Sequence, residues 1–416
     1  MKTVFDAIIV GAGPAGASAA ILLARGGWNV LLIEKQLFPR RKVCGECIAA
    51  SNLPLLDALG VGDAFAASAG PELRQVALMH RDSVTVADLP PAMRTSQRWG
   101  RALGRETLDT LLLEQARVSG AHVLQPCSVQ AVGGAPGNWR CDVRCANSMA
   151  LLTFHARIVI AANGSWEALP SERARHERVH RASDLLAFKA NFSGARLVHS
   201  LLPVLSFTGG YGGMVNTGAG ETTLAFCVRR DRLDALRREL PGLGAGEAGE
   251  EMLKRECAGV RAALEVATRD GPWLAAGPLH PGIRVDTDDG FLRIGNAAGE
   301  AHPIIGEGMS MALQAAWLLC AHLLGARDRA TLEDAAWQRT VHRAYAAQWR
   351  RQFAPRLRLA AVFAHLAMRP GGAAILVRAV HLWPALLTLG AKWGGKTRGV
   401  INSGTVSDPT IIKDTT

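Results

Sequence analysis

Residues 5–34 read FDAIIVGAGPAGASAAILLARGGWNVLLIE. Phe5–Val10 is a short apolar run that stops at a glycine, the pattern of a strand buried on both faces of a parallel sheet. Gly11-Ala12-Gly13-Pro14-Ala15-Gly16 follows, and Ala17–Arg25 continues it with an Ala/Leu-rich helical pattern. Asn29–Ile33 is a second apolar strand, closing on Glu34. A GxGxxG turn is weak evidence by itself. Placed between a strand and a helix, with an acid at the end of the next strand, it specifies a dinucleotide site. Gly11 permits the tight turn, Gly13 lets the backbone approach a pyrophosphate, and Gly16 lets the helix pack closely on the sheet. The helix start offers N–H groups and a positive dipole end to phosphates. Glu34 suits ribose hydroxyls and disfavours a 2′-phosphate. Pro14, Ala15 and Lys35 complete the contacts expected of this unit.

The 416 residues are 49% hydrophobic and 20% charged, which implies a folded chain of two or three domains. The 44 glycines fit many tight βα turns. The net charge is +11; the basic residues form no one long tract, and most are arginines spread over the chain, with small groups at Arg40–Lys42, Arg229–Arg230 and Arg350–Arg351. Dispersed arginine reads as a solvated surface, not as a nucleic-acid site. The eight cysteines form no regular framework. Cys44 and Cys47 make a lone CxxC with no second pair to complete a zinc site, so no metal is expected. No signal peptide precedes the first strand, which points to a reducing cytoplasm. No apolar run reaches the length of a membrane span; 373–389 comes nearest and is interrupted by Arg378, His381 and Pro384.

Four further segments bear on which dinucleotide is bound. They are Arg40-Arg41-Lys42-Val43-Cys44-Gly45-Glu46, then 101–112 (RALGRETLDTLL), then 156–165 (ARIVIAANGS), and 290–319 (GFLRIGNAAGEAHPIIGEGMSMALQAAWLL). In this order, over residues 1–330, they resemble the signatures of FAD-dependent aromatic hydroxylases and geranylgeranyl reductase-like flavoproteins. The resemblance implies an α/β fold: an FAD-binding Rossmann-like domain of the glutathione reductase type, interleaved with a mixed β-sheet substrate domain and followed by C-terminal helices. It implies FAD as the cofactor at the Gly11–Gly16 turn. Residues 121–132 and 291–295 read as strands. By the same resemblance Arg41, Lys42, Cys44 and Gly45 run beside the flavin, Arg105 approaches the cofactor, and the first of these strands, near Val129, meets the adenine through its backbone. Gly164 belongs to the turn where relatives carry VIxADG, with Asn163 in place of the acid. Asn296 stands where relatives have the Asp that contacts the ribityl chain and phosphates. Gly306, Glu307, Gly308 and Met309 form the loop and helix start beside the isoalloxazine, a positive dipole end that stabilises charge on reduced flavin. Cys44 reads as a pocket-lining residue, a redox partner of Cys47 or a filler.

No second GxGxxG in a βαβ context occurs, so either NAD(P)H docks as a transient reductant without a domain of its own, or reducing power comes from a partner. The domain expectation is 1–74, 101–170 and 281–330 for FAD, 75–100 and 171–280 for a substrate sheet, 331–402 for C-terminal helices, and 403–416 for a flexible tail. Within the substrate half, 186–192, 201–207, 211–216 and 221–229 read as strands of one sheet. Gly209–Met214 (GGYGGM) either makes room for a bulky substrate or is a plain turn. Cys44, Tyr211, His302 and Pro303 are the pocket candidates; His302 serves proton transfer or is structural. The helical tail either closes the pocket or meets a membrane surface or a carrier protein.

The combination of RRKVCGE, GGYGGM, GPWLAAGP (271–278) and GNAAGEAHPIIGEGMS resembles polyketide-tailoring flavoproteins. That implies hydroxylation of a small hydrophobic, aromatic or polyketide-derived substrate, free or carrier-bound, through a flavin C4a-hydroperoxide. An ene-reductase of the geranylgeranyl reductase type, a flavin-dependent halogenase and a non-catalytic flavin-binding protein are the alternatives. The WxWxIP signature of halogenases is absent.

Overall fold

In the computed structural model Val4–Val10 is a central strand, paired in parallel with Val30–Ile33 on one side and Leu151–Ala161 on the other. The structure describes residues 4–92, 97–146, 148, 150–165, 169–170, 180–287 and 289–393. The expected tail at 403–416 lies outside them. Apart from Val4, every side chain of the central strand is buried, as an unbroken apolar run demands of a sheet covered on both faces. His122–Leu124 extends the parallel part beyond Val30–Ile33, and Leu292–Arg293 pairs with Ile160–Ala161. On the far side Asn138–Cys145 and Cys127–Ala135 complete the seven strands in antiparallel fashion. The helices Pro14–Arg25, Arg105–Val118 and Gly308–Leu323 pack on one face of this sheet through a shared apolar core. The architecture is thus the α/β class the sequence implies.

A second seven-stranded sheet runs in the order Thr268–Ala276, Leu185–Ser193, Glu221–Arg229, Gly210–Asn216, Leu201–Phe207, Gln75–His80, Ser83–Asp88. Only the pair Leu201–Phe207 and Gln75–His80 is parallel. Helices Arg230–Glu239, Ala245–Glu256 and Ala258–Ala263 close one face with their own core, centred on Phe188, Phe226 and Met252. The 34-residue helix Ala335–Met368 straps the halves together. Tyr345, Trp349 and Phe353 pack into the first core, and Ala364 and Ala367 against Leu185 and Tyr211 of the second sheet.

Two readings are corrected. The segment 121–132 is not one strand: it divides into His122–Leu124 and Cys127–Ala135 at Pro126, which has no N–H to donate to a ladder. The strand read at 291–295 is only Leu292–Arg293, because Gly295 at φ +59 turns the chain into a 3-10 turn. Cys127 and Cys145, directly opposite on paired strands, form a disulfide; the other six cysteines are free thiols.

Candidate active site

The three glycines of the first turn do different work. Gly11 has φ +102, which only glycine adopts easily, and a Cβ there would stand 2.5 Å from the Ala162 carbonyl oxygen. A Cβ on Gly16 would stand 1.8 Å from the Gly11 oxygen. Both are therefore packing requirements. Gly13 differs: its φ is −66, and the nearest atom to a Cβ would be the Arg105 guanidinium at 3.7 Å. It faces an open cavity. Gly45 and Gly308 are equally open, with nothing within 4 Å of a Cβ. A chain that leaves such gaps beside a helix start has a cradle for a phosphate-bearing ligand.

The cavity measures about 540 Å³. Gly13, Pro14, Ala15, Lys42, Cys44, Gly45, Arg105, Gly164, Asn296, Gly306, Gly308 and Met309 all line it, which brings most of the expected cofactor residues together from five separate stretches of chain. Arg105 is buried and makes a two-pronged ion pair with Asp109, at 2.7 and 2.6 Å. Burial opposes the Arg105 charge, but Asp109 outweighs it and holds the guanidinium ionised. Lys42 is pushed down to about 8, by burial first and then by Arg105 and Arg40. Two cations beside open glycines suit an anionic diphosphate, so the residues present fit FAD. Asn296 donates to Ser165 Oγ at 2.8 Å and its carbonyl accepts from Arg284. The Gly164 turn and the Leu292–Arg293 strand are thereby tied at the cavity wall.

Lys42 makes cofactor binding pH-dependent. An anion beside it favours the ammonium, which the free protein loses as pH rises through about 8. FAD affinity is expected to be highest below pH 8 and to weaken above it. The Lys42→Met variant should bind more weakly at pH 7 and show no such slope, by titration of flavin fluorescence.

Other expected contacts lie elsewhere. Arg41 is turned away from the cavity: its guanidinium pairs with Asp270 at 2.5 Å and reaches Glu106 and Glu221, tying the two halves at the surface. Lys35 is exposed. Glu307 is buried in the protein interior, 3.7 Å from Arg356, and does not line the cavity. Glu34 is buried and accepts from the Ala12 and Gln36 N–H groups, with Arg40 at 3.7 Å. It thus braces the turn at the end where a ribose would lie. Val129 does not line the cavity; it stands on a bulged strand beside that end, where the Cys127 N–H donates to the Glu34 carbonyl.

The strongest polar feature is one that sequence reading missed. Glu46, 0% exposed, accepts from Lys189, from the Arg105 N–H at 2.9 Å and from Thr223 Oγ1 at 2.5 Å. Lys189 is 1% exposed. Nothing local marks Lys189: it is one of three polar residues in the strand Leu185–Ser193, and its partner lies 143 residues away.

Beyond the cofactor residues the cavity continues under the second sheet, along Leu78, Val204, Met214 and Phe226, and on to Leu386, Leu387, Leu389, Gly390, Ala391 and Trp393 of the last described helix. Pro303, Ile304 and Ile305 line the same cavity. Cys44 lines it as well and is not bonded to Cys47. The turn in GGYGGM is confined to Gly209, at φ +78; Gly210–Asn216 is strand. Gly210 and Gly212 are needed because a Cβ would strike the Phe207 ring at 2.2 Å or the Ala225 oxygen at 2.7 Å. Tyr211 lines the cavity, and its hydroxyl meets His302 Nδ1 at 3.3 Å. Burial, with Cys227 adding to it, holds this phenol well above its usual range. His302 itself lies behind Tyr211, off the cavity.

Burial and the neighbouring His365 push His302 down to about 4, so it is neutral at neutral pH. The folded state therefore resists a proton that the unfolded chain accepts below about 6.5. Stability is full above pH 6.5 and falls as pH drops from 6.5 towards 4. The acid arm of a melting-temperature profile should be shallower in His302→Phe across that window.

Residues 4–240, more than half the chain, match a family described as FAD binding domain. Conditioned medium factor receptor 1 of Dictyostelium discoideum is 25% identical over 377 residues, covering 81% of this chain and 67% of that protein. Menaquinone reductase of Mycobacterium tuberculosis is 26% identical over 337 residues, covering 79% and 78%. Among solved structures, the myxobacterial chondrochloren halogenase superposes with a TM-score of 0.74 at 18% identity, over 98% of this chain and 96% of that one. At that identity the likeness concerns the fold alone.

Proposed function

The chain belongs to the FAD binding domain family and is a flavin-dependent oxidoreductase, and from that premise we propose that it hydroxylates a long apolar substrate of aromatic or polyketide origin. NAD(P)H is the transient reductant. The overall change is substrate C–H, O2, NAD(P)H and a proton giving substrate C–OH, water and NAD(P)+. The observation that carries this reading is the continuity of the cavity. One end is built from the open glycines and cations of the dinucleotide cradle; the other is a deep apolar slot under the second sheet. Such a slot takes a large hydrophobic ligand and excludes water from the place where the two meet.

Bound FAD would supply the redox chemistry, accepting a hydride and passing electrons to O2. The protein's own groups do the rest. Gly13–Ala15, Lys42 and Arg105 would hold the FAD diphosphate. The first-turn N–H groups of Gly308–Leu323, which have no carbonyl within the helix to bond, would offer donors to the ring end. Pro303–Ile305 walls the ring from the core. Tyr211 offers a hydroxyl in an otherwise apolar slot, oriented by neutral His302, and can hold a substrate oxygen there. We place the reaction in the cytoplasm, where nicotinamide reductant is supplied; the Cys127–Cys145 bond is the one feature that pulls the other way.

A second reading, hydride transfer to a C=C bond, is favoured by the similarity to menaquinone reductase over 79% of this chain and 78% of that protein. The test is anaerobic reduction by NADH or NADPH, followed by 18O2 and a panel of alkylated phenols. Product carrying one 18O atom supports the hydroxylase. A gain of two hydrogens on an enone or isoprenoid quinone without 18O supports the reductase and sinks the first reading. Flavin that NAD(P)H never bleaches sinks both.

A further inference from the structure

The helices Pro370–Leu382 and Ala385–Trp393 leave a run of large apolar side chains in solvent. Ile375 is 71% exposed, Leu382 60%, Trp383 65% and Trp393 64%. Soluble surfaces rarely gather so many without a partner. Arg369, Arg378 and Lys392 are exposed among them. These are the three arginines and lysines within 369–393, which contains no acid. Between Asp334 and Asp408 the chain contains eleven arginines and lysines and no acid, so this stretch accounts for the whole net charge of +11. The chain bends by 107° between Ala335–Met368 and Pro370–Leu382, and no single described helix is long and apolar enough to cross a bilayer. Leu386, Leu389 and Trp393 both line the cavity and stand exposed, so the cavity opens through this same face.

We propose that this face docks on an anionic bilayer surface, with the two helices lying in the interface and the cavity mouth turned to the lipid. Tryptophans settle at the headgroup level, and basic side chains beside them are drawn to anionic headgroups. An acidic carrier protein would feel the same charge. The apolar side chains that flank an open cavity mouth, with a tryptophan just ahead of the last helix and another at its end, favour lipid. An apolar substrate could then pass from the bilayer to the slot without crossing water. That passage rests on the substrate reading above; the docking does not, because it is measured without substrate.

The experiment is co-sedimentation of the full-length, flavin-loaded protein with vesicles of phosphatidylcholine alone or mixed with phosphatidylglycerol. Binding is expected to the mixed vesicles, weakly to phosphatidylcholine, and less at high salt. Arg378→Gln and Lys392→Gln should each weaken it by roughly fivefold. Neither Ile375 nor Trp383 lines the cavity, so Ile375→Ser/Trp383→Ser should abolish sedimentation while flavin absorbance and melting stay unchanged. No binding to the mixed vesicles, or binding indifferent to these changes, overturns the proposal. So does binding only to an acidic carrier protein, or binding that appears only after truncation at Trp393, which would assign the face to residues 394–416.

Discussion

Replacing Lys189 with methionine is expected to cost about 3–5 kcal/mol of stability, because it leaves the Glu46 carboxylate buried without its counter-charge. Glu46 is 0% exposed and cannot turn to water. Its remaining partners, the Arg105 N–H and the Thr223 hydroxyl, are neutral donors. Lys189 belongs to the second sheet and Glu46 to the loop beside the dinucleotide cradle, so the pair joins the two halves at the cavity. Loss of stability should therefore be accompanied by weaker FAD retention. The double variant Glu46→Gln/Lys189→Met removes both charges and should regain most of the loss. Chemical denaturation of the three proteins measures this. A loss below about 1 kcal/mol in the single variant would mean that water reaches the carboxylate once the lysine is gone.

A contrast between two glycines has the next largest effect. Gly13→Val is expected to fold, since its φ of −66 accepts any residue and only Arg105 lies near a Cβ. The added side chain would fill the phosphate cradle, so the variant should purify colourless with a melt close to that of the flavin-free parent. Gly16→Ala should fail differently. Its Cβ would meet the Gly11 backbone oxygen at 1.8 Å, so the helix must move off the sheet. Overpacking of this kind costs on the order of 1–3 kcal/mol, and both flavin content and stability should fall. Flavin absorbance together with circular dichroism melts separates the outcomes. A Gly13→Val protein that keeps its flavin would remove the first turn from the cofactor site.

The expectations that survived rest on short stretches of chain. The Gly11–Gly16 turn, the strands at 186–192, 201–207, 211–216 and 221–229, and the helix opening at Gly308 are set by turn sterics and by runs of apolar residues. Both act between near neighbours. Arg41 and Glu307 show the limit. Each sits in a segment with the pattern of a flavin-side loop, yet Arg41 is claimed by Asp270, 229 residues on, and Glu307 lies near Arg356 in the interior. A long side chain follows the charge that packing brings within reach, and no spacing along the chain reveals which one that is. Cys127 and Cys145 were likewise unremarkable until antiparallel pairing set them opposite one another.

By itself, then, the sequence determined the fold class and the dinucleotide turn, and it showed that residues 335–407 carry eleven arginines and lysines and no acid. Those properties belong to contiguous residues. Only the tertiary structure decided that Glu46 meets Lys189, that Tyr211 stands before His302, and that the last helix forms the mouth of the cavity. Those facts depend on two sheets and a 34-residue helix closing on one another. Burial then converts ordinary polar residues into a site, because a charge removed from water is tolerated only where the fold supplies its partner.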